Sequence, residues 1–254
     1  MFDFFHDLLS DKKGGEVFTL FGGWHFVYIA LAVISAAAAL LILKKKGRET
    51  KDRVTAFLID LAFGMYVADF FLMPLAYGEI DIEKLPFHVC TAMCVMCFLS
   101  SRVGSLKKYH TSFVKLGFVS NLVYLVYPAG VMWQAIGPIS YRVIQTLLFH
   151  CVMTVYGFLS LAYDDENSSK AWARDLAVVV AMTAWALLGN YIYNGSAGEY
   201  SHFFNWFFVV RDPFGALPEK ISPFVMPFVN IALFFAVETL LTLAFRCAKR
   251  TKEE

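Results

Sequence analysis

Seven long apolar stretches, at about residues 24–43, 54–76, 86–101, 111–127, 140–163, 172–193 and 222–245, constrain this chain more than any other feature. A bilayer core of about 30 Å takes roughly 20 apolar residues to cross as a helix. Inside hydrocarbon every main-chain polar group must be satisfied within the segment, which favours helices. The expected fold is therefore an all-α polytopic membrane protein with seven transmembrane helices, the third of them short. Composition points the same way: 58% of residues belong to the AVILMFWYC set and 17% are charged, against about 25% charged in a soluble domain. Twenty-two Lys+Arg against 21 Asp+Glu leave a net charge of +1. That balance speaks against a nucleic-acid partner, which would call for a strongly basic face.

The distribution of cations sets the expected orientation. With the N-terminus outside, the inner segments hold 16 Lys and Arg and the outer segments 6, the usual positive-inside bias. The C-terminus then lies inside, and the expected location is a cell membrane. The reading divides the chain into an N-terminal interfacial segment (1–23), a seven-helix domain (24–246) and a cytoplasmic tail (247–254). Asp3 and Asp7 stand where a cleavable signal would be basic. Phe2, Phe5 and Leu9 share a helical face there, as in a helix lying along the interface. The loop 194–221 contains Phe203, Phe204, Trp206, Phe207 and Phe208. It is too short to span and is expected to rest in the outer interface, either as an aromatic belt or as a lid.

Ionisable groups inside the spans cost about 2.5–3.5 kcal/mol each on insertion scales and are functional candidates for that reason. At about 1.5 Å per residue from the inner boundary, Cys90 lies at roughly 18 Å, His150 at roughly 21 Å, Asn190 at roughly 23 Å and Asp69 at roughly 24 Å. His88 belongs to the same layer. A thiol, two imidazoles, a carboxylate and a carboxamide are thus expected at one depth, on four helices, toward the outer leaflet. Asp60 and Asp69 are nine residues apart, on opposite faces of one helix, and Asp69 is the better placed for this layer. Each residue also has a plain structural reading. His150 could donate to a main-chain carbonyl, Asn190 could join two helices, and Cys94, Cys97, Cys151 and Cys247 read best as packing residues.

Cys90 differs from the other cysteines by position. Pro86 fits the start of the third helix, and only sixteen residues separate it from Arg102. With its inner end anchored, the helix starts below the outer boundary, and its first N–H groups are expected to line a cavity, because bare backbone cannot face lipid. Just inside that start, the positive end of the helix dipole favours negative charge on sulfur. Cys90, Cys94 and Cys97 share a face with His88 nearby, but no second CxxC pair accompanies them, so no metal is expected. The chain also contains no Walker loop, HExxH or GxSxG, and no cofactor is expected.

Leu85-Pro86-Phe87-His88-Val89-Cys90 resembles the LPxHxC motif of the YwaF-type bacterial integral membrane proteins, which are related to the eukaryotic transmembrane protein 164 family. His150 in the fifth span and Asn190-Tyr191 near the end of the sixth extend the resemblance, which covers the chain from the second span to the seventh. Cys151, where a small Gly is usual, and the loop residues Arg211-Asp212-Pro213-Phe214 depart from the pattern. The eukaryotic members are regarded as cysteine-dependent acyltransferases that move fatty acyl chains between glycerophospholipids. The resemblance implies Cys90 as nucleophile and His150 as base, with phospholipid and lysophospholipid as partners. Residue chemistry adds His88, or backbone N–H groups at the start of the third helix, as oxyanion donor and Asp69 as the group orienting an imidazole, and the matched Asn190 and Tyr191 are the expected substrate contacts. Hydrolysis of the same acyl-thioester by water is the related outcome. The competing expectation is a proton-coupled carrier of a small solute that uses the Asp69, His88 and His150 layer. The oligomeric state is left open.

Overall fold

The computed structural model describes residues 16–78, 82–132, 135–163, 170–194 and 204–250. The interfacial helix expected within residues 1–10 and the last residues of the tail, 251–254, lie outside the described residues. Helices α1 (Gly23–Leu43), α2 (Arg48–Tyr77), α3 (Val89–Ser100), α4 (His110–Val126), α5 (Tyr141–Tyr163), α6 (Lys170–Asn194) and α7 (Ser222–Arg250) make up most of it, with no strand among the described residues. Six segments are long and apolar enough to cross a membrane, the one built on α4 counted with its flanking turns as Lys107–Met132; α3, with 12 residues, is the short apolar one. At 1.5 Å per residue α3 extends for roughly 18 Å, well under a bilayer core.

The chain forms two compact units, with the boundary inside α4. The first comprises Met1–Ile82 and Ser120–Tyr163. Its centre is α5, which packs against α1 and α2. Val143, Leu147 and Cys151 recur at four-residue intervals on α5, and this stripe closes on Tyr28 and Ala32 of α1 and Leu125 of α4. A second cluster nearer the other end of α5 joins Val155 and Leu159 to Leu43, with Val54 and Leu58 of α2 against it. Arg48, at the start of α2, donates to the carbonyl of Tyr163, the last residue of α5 (2.7 Å). Lys51, one turn on, lies 4.6 Å from the centre of the Tyr163 ring. Cations thus meet the negative end of the α5 dipole. α2 ends at Gly78, whose φ of 78° is the left-handed cap that glycine adopts without strain, and its N–H bonds to the carbonyl of Pro74 (2.8 Å).

Two polar residues hold α1 in this unit. His25 is fully buried; its Nδ1 accepts the N–H of Phe21 (2.9 Å) and its Nε2 donates to the carbonyl of Leu125 (2.7 Å). The first bond holds Phe21 at a φ of 55°, which a residue with a Cβ adopts at a cost. Cys151 donates its thiol to the carbonyl of Tyr28 (3.4 Å) and is buried, so this cysteine packs and bonds within the core.

The second unit comprises Glu83–Val119 and Asp164–Glu254. α6 packs along α7, and α3 lies against α6. A 3-10 turn, Trp206–Phe208, packs on both α6 and α7. Trp206 and Phe207 are buried to 1% and 2% exposure. Of the loop expected to rest in the interface, Phe204, Trp206 and Phe207 are packed into the unit, whereas Phe208 and residues 213–216 are exposed. Asparagine side chains, which an apolar-moment reading ignores, hold the loop there. Asn194 bonds the carbonyl and N–H of Phe204 (2.8 and 2.9 Å), and Asn230 of α7 donates to the carbonyls of Phe207 and Phe208 (2.7 and 3.1 Å). These bonds fix Phe207 and Phe208 at φ of 57° and 52°.

Candidate functional site

The segment 85–90 is assembled from the outside inward. Pro86 has no N–H to lose, and its carbonyl accepts the indole N–H of Trp185 on α6 (2.6 Å). The ring of Phe87 then lies between two indoles, with centroids 5.0 Å from Trp185 and 4.9 Å from Trp206. Tyr193 meets it edge-on at 5.9 Å. Phe87 can approach α6 this closely because position 189 is glycine: a Cβ there would stand 2.3 Å from Phe87 Cδ1. The first variable position of LPxHxC, Phe87, is therefore the anchor of the segment in this chain.

His88 is the N-cap of α3, in extended conformation, and its side chain makes no capping bond. Its carbonyl starts the helix, accepting Ala92 N–H (2.9 Å) and the Thr91 hydroxyl (3.0 Å). The N–H groups of Val89, Cys90 and Thr91 precede the first bond of the α3 ladder. Cys90 is the second residue of α3 and is buried, as are Cys94 and Cys97, the next two positions on its face. None of the three is in a disulfide. The half-buried imidazole of His88 stands edge-on to Trp206 at 6.4 Å.

Asn190, expected to touch substrate, is 1% exposed and holds the main chain. Its Nδ2 donates to the carbonyls of Ala186 (2.8 Å) and Trp206 (3.1 Å), and its Oδ1 accepts the N–H of Trp206 (3.1 Å). Tyr191, its neighbour, is 76% exposed. One residue of the expected pair thus faces inward and the other outward, as the 100° step of a helix requires.

His150 and Asp69 belong to the first unit. His150 is buried on α5, with its ring stacked on Tyr124 of α4 (centroids 3.8 Å, planes 12° apart). Its Nδ1 lies 2.6 Å from the carbonyl of Thr146, one turn earlier. A carbonyl only accepts, so Nδ1 carries the proton and Nε2 is the basic nitrogen of the neutral ring. The orienting bond expected from Asp69 is thus supplied, at Nδ1, by a main-chain oxygen. Asp69 is 1% exposed on α2, whereas Asp60 is on the exposed side. Asp69 Oδ1 accepts the phenol of Tyr141, at the start of α5 (2.6 Å). Tyr141 was not singled out from the sequence, because an interfacial tyrosine at a helix start is commonplace. No group of three or more His, Cys, Asp or Glu able to hold a metal occurs among the described residues.

Apolar helices, a buried thiol at the start of a short helix and a buried imidazole bonded to a main-chain carbonyl define a multi-pass helical membrane protein. The TMEM164 family matches the chain over residues 20–247, and the chain belongs to that family. Comparison with curated proteins and with solved structures found no match.

Proposed function

We propose that this chain is a membrane-embedded, cysteine-dependent acyltransferase acting on glycerophospholipid acyl chains, with Cys90 as nucleophile. The position of Cys90 carries the reading: it is a buried thiol in the first turn of a 12-residue helix, in a chain of the TMEM164 family. A helix of that length cannot cross the hydrocarbon, so its N-terminus opens within the membrane. There the positive end of its dipole faces any negative charge that forms.

In the first half-reaction the Cys90 thiol gives its proton to a base and the sulfur attacks an ester carbonyl carbon of a phospholipid. The oxyanion is stabilised by first-turn N–H groups of α3, with His88 as the side chain next to them. The C–O bond breaks, the departing lysolipid alkoxide takes up the proton, and the acyl chain remains on sulfur as a thioester. In the second half-reaction a lysolipid hydroxyl, or water in the hydrolytic variant, loses its proton to the base and attacks the thioester carbonyl. The C–S bond breaks and the thiol is regenerated. The role of base falls to His150, whose Nε2 is the basic nitrogen because Thr146 holds the proton on Nδ1. Asp69 and Tyr141 then support α5 through their hydrogen bond.

Reconstitution in liposomes of defined acyl composition tests the reading. Wild type and Cys94→Ala are expected to redistribute a labelled acyl chain between phospholipid and lysophospholipid, and Cys90→Ala is not. Unchanged acyl composition with wild type, together with solute uptake driven by a pH gradient, would favour a carrier instead.

A further inference from the structure

The second unit contains a set of ionisable groups that acyl transfer does not use. Lys115, six residues into α4, and Asp175, on α6, are both buried and joined Nζ to Oδ2 at 2.8 Å. Ser112 donates its hydroxyl to the other oxygen of Asp175. The charge count that set the orientation placed Lys115 among the inner cations; the structure puts it inside the helix packing with a carboxylate partner.

Glu238, near the middle of α7, completes the set. It is fully buried, and neither carboxyl oxygen meets a hydrogen-bond donor among the described residues. Thr242 on the next turn donates to the main-chain carbonyl of Glu238, not to its side chain (2.8 Å). The charged groups that face Glu238 are Asp175 of α6 and Lys115 of α4. The 3-10 turn Trp206–Phe208, which also packs on α7, brings no ionisable side chain.

Charge counting then decides what this arrangement does. Lys115 and Asp175 neutralise each other. An ionised Glu238 would add an uncompensated negative charge beside Asp175, with no hydrogen-bond donor to its oxygens among the described residues. One additional proton on the carboxyl makes the three groups neutral.

We infer that Glu238, together with the Lys115–Asp175 pair, is a proton-binding site within the membrane-spanning part of the second unit. Glu238 takes up one proton from water and releases it again. The cluster changes from neutral to a single negative charge on release, when Lys115 is left to balance two carboxylates.

Infrared spectroscopy of the whole protein in liposomes, as a function of pH, tests this directly. The wild-type minus Glu238→Gln difference spectrum is expected to show the C=O stretch of a protonated carboxyl at neutral pH. That band should decline into carboxylate bands as pH rises. Absence of the band at neutral pH, or a band unchanged by alkaline pH while the helices stay intact, would overturn the inference. Thermal melting gives an independent readout, since the glutamine amide keeps the shape and neutrality of the protonated acid. Glu238→Gln is expected to melt no lower than wild type at neutral pH, and wild type should lose stability relative to it in alkali. A lower melting temperature of Glu238→Gln at neutral pH, or its failure to fold, would overturn the inference. Cys90→Ala should leave the band in place.

Discussion

Asn190 and Trp206 bond to each other in both directions: the carboxamide nitrogen donates to the Trp206 carbonyl and the carboxamide oxygen accepts its N–H, each at 3.1 Å. A side chain thereby satisfies the main chain of a buried loop residue as a neighbouring strand would. Trp206 in turn lies against the ring of Phe87 (centroids 4.9 Å), three residues before Cys90. Asn190→Ala leaves a buried N–H and a buried C=O without partners, and is expected to cost about 1–3 kcal/mol for each group not re-solvated. The fall in melting temperature should be accompanied by a partial loss of Cys90 reactivity toward a lipid electrophile. Unchanged melting would show that the loop is held by other contacts.

Gly189 is expected to be intolerant of any side chain. A Cβ would fall 2.3 Å from the Phe87 ring, which lies against two indoles, at 5.0 Å from Trp185 and 4.9 Å from Trp206. Gly189→Ala should destabilise by about 1–3 kcal/mol through overpacking. The double variant Gly189→Ala with Phe87→Leu should recover part of that loss, because the two residues share one contact. Purely additive melting shifts would contradict the packing described.

The tautomer of His150 can be read by nitrogen NMR of labelled protein. The bond to the Thr146 carbonyl predicts a protonated Nδ1 and an unprotonated Nε2 in the neutral ring. Removing the stacked partner with Tyr124→Leu should cost about 0.5–1.5 kcal/mol beyond the change in buried area. The opposite tautomer would disqualify Nε2 as the acceptor of a proton.

Outside the spans, Asp212 fixes the turn that follows the buried loop. Its carboxylate accepts the N–H groups of Phe214, Ala216 and Leu217, and these bonds, that from Phe214 above all, hold its carboxyl below the usual aspartate range. A depressed value in the folded state means that the contribution is present above the unfolded aspartate value. It is lost as pH falls through the folded one. Amide exchange at these three residues should therefore accelerate only under acid conditions below the ordinary aspartate range, and Asp212→Asn should abolish that acid dependence.

Fold class was legible from sequence because membrane crossing imposes a minimum length of apolar helix, and α1, α4 and α5 begin and end close to where the hydropathy changes. The brevity of α3 followed from the spacing of Pro86 and Arg102. The nine-residue interval between Asp60 and Asp69 separated an exposed from a buried carboxylate. What could not be read were partners distant along the chain. Lys115 and Asp175 lie 60 residues apart, and a rule that counts cations near span ends has no means of recognising a buried one. The i, i+4 spacing of Asn190 and Asn194 was a signal of a common face, but the loop it binds returns from residues 204 and 206, and only the folded chain pairs them. Depth and the resemblance placed Asn190 with the chemistry; its hydrogen bonds hold the main chain of the buried loop.

The central claim is that Cys90 carries the acyl group. Mass spectrometry of the protein after brief incubation with phospholipid and rapid acid quench measures this most directly. The account predicts a hydroxylamine-sensitive acyl adduct on the peptide containing Cys90, absent from Cys90→Ala and persisting longer in His150→Ala if any forms there. An acyl adduct on Cys94, Cys97 or Cys151 with Cys90 unmodified, or equal labelling of wild type and Cys90→Ala, would contradict it.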